Sequence, residues 1–120
     1  MSGALKHIYR VELRTKAPST ADVVLKGPAI PEGYVALIET VHLIDLTTAN
    51  KTMRIGYERA GEQFWISRRN TGTGNYDLRF RLHVAFAPGE KPIAMVESPT
   101  TGDEILFVCR GFLQPVEGSG

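Results

Sequence analysis

The 120-residue chain has one cysteine, one tryptophan and no apolar run approaching membrane-spanning length. Each shortage excludes something. A single thiol, Cys109, cannot close an internal disulfide, and within the apolar run 105–109 it reads as a small buried hydrophobe, not a reactive group. A spanning helix needs ~18 apolar residues, and MSGALKHIYR (1–10) lacks the apolar core of a signal peptide. The expectation is a protein made in a cytoplasm, with no membrane partner. An excess of one charge is also missing: 14 Lys and Arg face 13 Asp and Glu, a net charge of +1. Bulk electrostatics therefore gives no claim on nucleic acid. No segment carries a 3.6-residue period of helical length.

What is present is a period of 2. In YDLRFRLHVAF (76–86), Leu78, Phe80, Leu82, Val84 and Phe86 face one way, and Asp77, Arg79, Arg81, His83 and Ala85 the other. ALKHIYRVELR (4–14) alternates Leu5, His7, Tyr9, Val11 and Leu13 against a charged face on which Ile8 is the exception. ADVVLKG (21–27) and IAMVES (93–98) are short strands, and KTMRIGYER (51–59) turns at Ala60-Gly61-Glu62 into QFWISRR (63–69) as a hairpin. In YVALIETVHLID (34–45) the odd-numbered set, Val35 to Asp45, looks inward at most positions. About eight strands separated by turn signals predict an all-β, antiparallel β-sandwich of jelly-roll-like form, with one domain over 1–114 and a flexible tail over 115–120.

Catalytic patterns fail one by one. His7, His42 and His83 sit on separate strands without the local pairing of a metal site, so no metal and no cofactor are expected. No serine lies in a Gly-x-Ser-x-Gly elbow. Asp103-Glu104 reads as the charged start of a strand, and RRNTGTGN (68–75), lacking a P-loop ending and its helix, as a mobile hairpin tip. Trp65 is assigned to the core, since Phe64 and Trp65 point to opposite faces. Arg79, Arg81 and His83, with Arg68 and Arg69 near them in sequence, form either a solvated strip matched by neighbouring acids or a face for a partner. Phe80 and Phe86 point away from these arginines, so the stacking that nucleic acid would need is missing.

The last strand, ILFVCRGFL (105–113), is apolar on both faces. Its second set, Leu106, Val108, Arg110 and Phe112, needs a cover: either the long loop Gly27–Gly33 or a neighbouring subunit. Burying that row against another copy removes about 300 to 400 Å² from water, worth roughly 8 to 10 kcal/mol before entropy costs. The strand at 35–46 has the same two-faced character, which favours the subunit.

IPEGYVALIETVHLIDLTT, followed near the C-terminus by GDEILFVCRGFL, resembles the small jelly-roll-like β-sandwich virion proteins of tailed bacteriophages, the capsid decoration (cement) and minor structural proteins. The shared features are a long strand that opens on Pro/Gly and ends in Asp plus threonines, and a last strand opened by Gly-Asp. The resemblance implies no enzyme and no catalytic residue. It implies a structural protein in the virion, a homo-oligomer such as a trimer, bound to the major capsid protein or another virion protein. On that reading Leu106, Val108, Arg110 and Phe112 join the subunits, and Arg79, Arg81 and His83 orient the assembly on its partner. The competing expectation is a carbohydrate-binding module or lectin-like domain, for which Trp65, Tyr57 and Tyr76 are the available aromatics.

Overall fold

A computed structural model describes residues 7–116. Leu5 and the tail residues 117–120 lie outside the described residues. The strands are β1 (His7–Lys16), β2 (Val23–Lys26), β3 (Tyr34–Asp45), β4 (Thr52–Arg59), β5 (Glu62–Asn70), β6 (Asp77–Phe86), β7 (Lys91–Val96) and β8 (Glu104–Pro115). They form two antiparallel four-stranded sheets of order β1-β8-β3-β6 and β2-β7-β4-β5. The pairing is nested: β1 with β8, β2 with β7, β3 with β6 and β4 with β5. This is one long hairpin folded at the β4–β5 turn and rolled into two layers, the jelly roll. That turn uses Ala60 and Gly61, both at positive φ (51° and 82°), as a two-residue hairpin twisted with its strands requires.

The inner faces meet in a core that includes Tyr9, Val11, Leu43, Met53, Ile55, Phe80, Phe107 and Cys109. The space around Val41, Phe107 and Cys109 admits no water. The interior is packing, with no chamber there for a ligand.

β3 departs from simple alternation. Ala36 and Ile38 are buried, but so are Val41, Leu43 and Asp45, so the inward parity changes midway. The cause is a β-bulge: Ile38 pairs with Gly111 and Thr40 with Arg110, two steps on β3 against one on β8. The expectation that the odd-numbered set faces inward therefore holds only after the bulge; Val35 and Leu37 face out. Opposite the bulge the backbones approach so closely that a Cβ on Gly111 would lie 1.8 Å from the Leu37 carbonyl oxygen. Gly56 is pressed in the same way: a Cβ there would lie 1.9 Å from the Phe64 carbonyl oxygen, where Ile55↔Ser67 steps to Gly56↔Trp65.

Residues 71–76 do not form a hairpin tip. β5 and β6 belong to different sheets, so this segment crosses the sandwich. It is also tied down: Thr71 N–H donates to the Lys51 carbonyl (2.9 Å), and Lys51 N–H returns a bond to Thr71 Oγ1 (3.0 Å). At the C-terminal side, β8 runs through Pro115, and Val116 N–H donates to the Gly33 carbonyl (2.8 Å).

Gly111→Ala should cost about 3 kcal/mol, since backbone on both strands must shift to admit one methyl. The thermal midpoint should fall by roughly 10 °C. A midpoint within two or three degrees of wild type would show that the close approach at Gly111 does not exist.

Candidate functional site

The motifs behind the virion resemblance meet at one end of the sandwich. β3 ends in Asp45-Leu46-Thr47-Thr48 and β8 is preceded by Gly102-Asp103. Asp45 Oδ1 accepts the N–H groups of Thr47 (3.0 Å) and Thr48 (2.9 Å). Asp103 accepts the Thr48 hydroxyl (2.6 Å) and the Thr100 N–H (2.9 Å). Both aspartates are fully buried. Asp103 is therefore no solvated strand start, and nothing local in the chain signals its partner Thr48, 55 residues away.

Asp45 Oδ2 meets no N–H or hydroxyl donor, and the group facing this carboxyl is Asp103. Two buried carboxylates side by side must share a proton. Burial, with the neighbouring Asp103, raises Asp45 above the ordinary carboxylate range. Asp103 is held below that range despite its burial, by hydrogen bonds from Asp45, Thr48 and Thr100 and by Lys51. Of the two, Asp45 is the one whose surroundings favour the protonated form. The pair is a structural clamp between two loops.

The histidines do not converge, and no group of three His, Cys, Asp or Glu among the described residues can hold a metal. His42 Nε2 lies 2.6 Å from Asp77 Oδ2 across β3 and β6, while His7 sits edge-on to Tyr34, with ring centroids 6.2 Å apart. Cys109 is buried and its thiol is pushed up to about 12, so it is inert as a nucleophile.

What distinguishes this molecule is the contrast between its two outer faces. On the β2-β7-β4-β5 sheet, charges are matched. Glu97 bridges Arg54 (2.5 Å) and Arg68 (2.7 Å), and these guanidiniums hold it down at about 2. Glu58 bridges Lys26 (2.7 Å) and Lys91 (3.9 Å). Trp65 lies on this outer face, which corrects its assignment to the core. Tyr57 turns inward against Phe86 and stacks on Phe64, whereas Trp65 pairs with Gly56 and sits beside the outward Arg54 guanidinium, 6.0 Å away.

The outer face of β1-β8-β3-β6 is built in rows across the strands. Arg14, Leu106, Ile44 and Asp77 form one; Glu12, Val108, His42 and Arg79 the next. Arg10, Arg110, Thr40 and Arg81 form the third, and Ile8, Phe112, Leu37 and Ala85 an entirely apolar fourth. Leu106, Val108 and Phe112 are half-buried, Arg110 is exposed, and Ile8 is 85% exposed. The loop 27–33 does not cover them. It bonds instead to the β6–β7 turn and β7, through Ile30 N–H to the Glu90 carbonyl (2.9 Å) and Gly27 N–H to the Pro92 carbonyl (2.8 Å).

Arg79, Arg81 and His83 all lie exposed on this face. Arg68 and Arg69 do not extend their strip: Arg68 belongs to the Glu97 bridge, and Arg69 sits over the Phe80 ring at 4.4 Å. Three acids of this face are already engaged, Glu12 by Arg10, Glu104 by Arg14 and Asp77 by His42, while Glu39 shares a depression with Arg79, Arg81 and Arg110. No ion pair engages Arg79, Arg81 or Arg110 among the described residues. The bulge turns Glu39 and Thr40 outward together, and Glu39 lines three adjoining depressions of about 340, 370 and 410 Å³.

No family model and no curated protein matches this chain. Among solved structures it is similar to a chain of the Bacillus endospore appendages, described as a novel family of disulfide-linked pili. The two are 11% identical, the match covers 97% of this chain and 93% of that one, and the TM-score is 0.59. A chain of infectious bursal disease virus, Gt strain, matches at 11% identity and TM-score 0.37, covering 98% of this chain and 34% of the viral one. The likeness to the appendage chain is one of fold: an all-β sandwich matched nearly end to end.

The carboxyl clamp makes stability depend on pH. Asp45, with its raised pKa, contributes stability that is full below the unfolded value of about 3.9 and is lost as pH rises through the folded value. Asp103, with its lowered pKa, contributes stability above that unfolded value that is lost as pH falls through its own folded value. Asp45→Asn keeps the acceptor for Thr47 and Thr48 and supplies an N–H to Asp103 without taking up a proton. Between pH 4 and 8, the thermal midpoint of Asp45→Asn should gain on wild type as pH rises. Parallel curves for the two proteins would show that Asp45 holds no proton.

Proposed function

We propose that the protein is a non-enzymatic structural subunit that assembles with copies of itself through the outer face of the β1-β8-β3-β6 sheet. One observation carries this reading: that face leaves the half-buried apolar side chains Leu106, Ile44 and Val108 partly in water at its centre, while the opposite outer face matches its charges internally. In a lone chain Leu106, Ile44 and Val108 stay partly wetted, and burying them against another copy gains roughly 25 cal/mol per Å². The contact is non-covalent, because the chain's one thiol is buried in the core. A chain of similar fold builds a disulfide-linked pilus, and here the same architecture would assemble by surface complementarity. In the finer form of the proposal, the protein is a virion component of a tailed bacteriophage that joins as a trimer and decorates the capsid, with Arg79, Arg81 and His83 toward a second virion protein.

Val108→Asp tests the self-contact. It places a carboxylate in the middle of the apolar rows without touching the core, so the fold should survive by circular dichroism. Light scattering after size exclusion should give a closed oligomer for wild type and about 13 kDa for the variant. An unchanged mass for a folded Val108→Asp would remove β8 from the interface.

The outward placement of Trp65 supports a second reading, a carbohydrate-binding module that uses the other sheet. An indole on a sheet face beside Arg54, Arg68 and Glu97 offers a ring to stack on and hydrogen-bonding groups around it. On this reading Trp65→Ala abolishes retention on immobilised polysaccharides with no change in native mass. A wild-type protein that no polysaccharide retards would end it.

A further inference from the structure

We propose that the groove crossing the outer face at the Glu39 bulge is a docking site for an extended acidic segment of a second protein, distinct from the contact between copies. The inference rests on the reading of this face as an assembly surface, and it names what the lower half of that face recognises.

The groove has two unlike walls. One is the row Arg10–Arg110–Thr40–Arg81, with Arg79 one row above on β6. The other is the apolar row Ile8–Phe112–Leu37–Ala85. Between them the adjoining depressions, of about 340, 370 and 410 Å³, run across all four strands and share Glu39. Where β8 and β6 flank β3, the backbones of Arg110 and Arg81 stand about 10 Å apart, two strand spacings. Arg79 and Arg81, two residues apart on one strand, are separated by about 7 Å, the repeat of same-side residues in an extended chain. Carboxylates at alternate positions of such a chain can therefore meet them one for one, as charge-assisted and often bidentate hydrogen bonds. The side chains between those carboxylates would face the apolar row.

A second copy does not satisfy this chemistry. A two-fold contact centred on the face with its axis along the strands lays Arg10 against Arg81 of the copy, like charge on like charge. Nucleic acid fits poorly as well. Glu39 lines every part of the groove, where a continuous phosphate backbone would have to pass it, and a segment of spaced carboxylates can straddle it with a backbone N–H.

The probe is a fluorescein-labelled peptide of about ten residues alternating Asp and Leu, read by fluorescence anisotropy against the full chain, with native mass measured on the same samples. Wild type should bind it and not the peptide with Lys in place of Asp. Arg81→Glu and Arg110→Glu should each weaken binding about tenfold or more while leaving native mass unchanged. Three results would overturn the inference: no binding at millimolar peptide, binding indifferent to both substitutions, or equally tight binding of a single-stranded oligonucleotide of the same charge. A change of native mass in either arginine variant would also overturn it, assigning the arginines to the contact between copies and leaving the self-assembly reading intact. If wild type itself runs at about 13 kDa but the peptide still binds through Arg81 and Arg110, self-assembly falls and the acidic-segment site stands.

Discussion

The bulge at Glu39–Thr40, seated on Gly111, is the constraint from which most of this molecule follows. β3 is a central strand twelve residues long, and a sandwich core needs it to supply inward side chains at both ends. Its two halves carry those side chains at opposite parity, Ala36 and Ile38 before the bulge and Val41, Leu43 and Asp45 after it. A strand without the extra residue would have to bury Glu39 or turn Leu43 out. The inserted residue resolves the conflict at the cost of backbone crowding, and only a glycine on β8 tolerates that. The same irregularity opens the outer face. It turns two consecutive polar residues outward, disturbs the register between β3 and β6, and leaves the depressions that converge on Glu39. Core packing and surface relief are two consequences of one inserted residue.

Much of this architecture was legible in the chain. The strict alternation at 77–86, the hairpin turn after Arg59 and the apolar character of both faces of 105–113 each depend on neighbours in sequence, and each appears as expected. The parity change in β3 was hidden because residues 35–38 are apolar at every position, so either set could face the core; the adjacent polar pair Glu39-Thr40 was its one local sign. Trp65 was misassigned for a related reason. Phe64 and Trp65 compete for one inward position, and the competition is decided by Tyr57, which stacks on Phe64 from the neighbouring strand. Arg68 was placed beside Arg79 by sequence proximity, yet the crossover at 71–76 sends β5 and β6 to different sheets. In each case the missing information was long-range pairing, which no local pattern carries.

The motifs that carried the resemblance to virion proteins prove instructive in a different way. Asp45-Leu46-Thr47-Thr48 and Gly102-Asp103 are the two halves of one buried clamp: Leu46 N–H donates to the Glu104 carbonyl (2.7 Å), and Thr47 Oγ1 accepts the Glu104 N–H (3.1 Å). Such a clamp answers a need of the jelly roll itself, in which the β3–β4 and β7–β8 connections meet at the end of the sandwich and their buried polar groups must find partners. A motif of this kind marks a fold and is silent on what the fold binds. What the protein binds is decided on its outer faces.

There, magnitudes discriminate between ways of assembling. In a two-fold contact along the strands, centred on the face, Arg10 meets Arg81 of the copy twice by symmetry. With Glu12 at 2.6 Å from Arg10 and both guanidiniums exposed, each such approach costs at most about 1 kcal/mol. Burying a large apolar side chain contributes about 1.5 to 3 kcal/mol. A centred contact would thus gain at Phe112 and Leu37 but find no carboxylate for its arginine row. A contact displaced toward Leu106, Ile44 and Val108 keeps the apolar gain and leaves the arginines outside. The unpaired guanidiniums are then neither a defect of the interface nor a part of it. Their desolvation has to be offset by more carboxylate than this face supplies, because Glu12, Glu104 and Asp77 are committed to Arg10, Arg14 and His42 and Glu39 alone is left among the three guanidiniums of Arg79, Arg81 and Arg110. The charge pattern divides the sheet into a half suited to the chain itself and a half suited to an acidic partner.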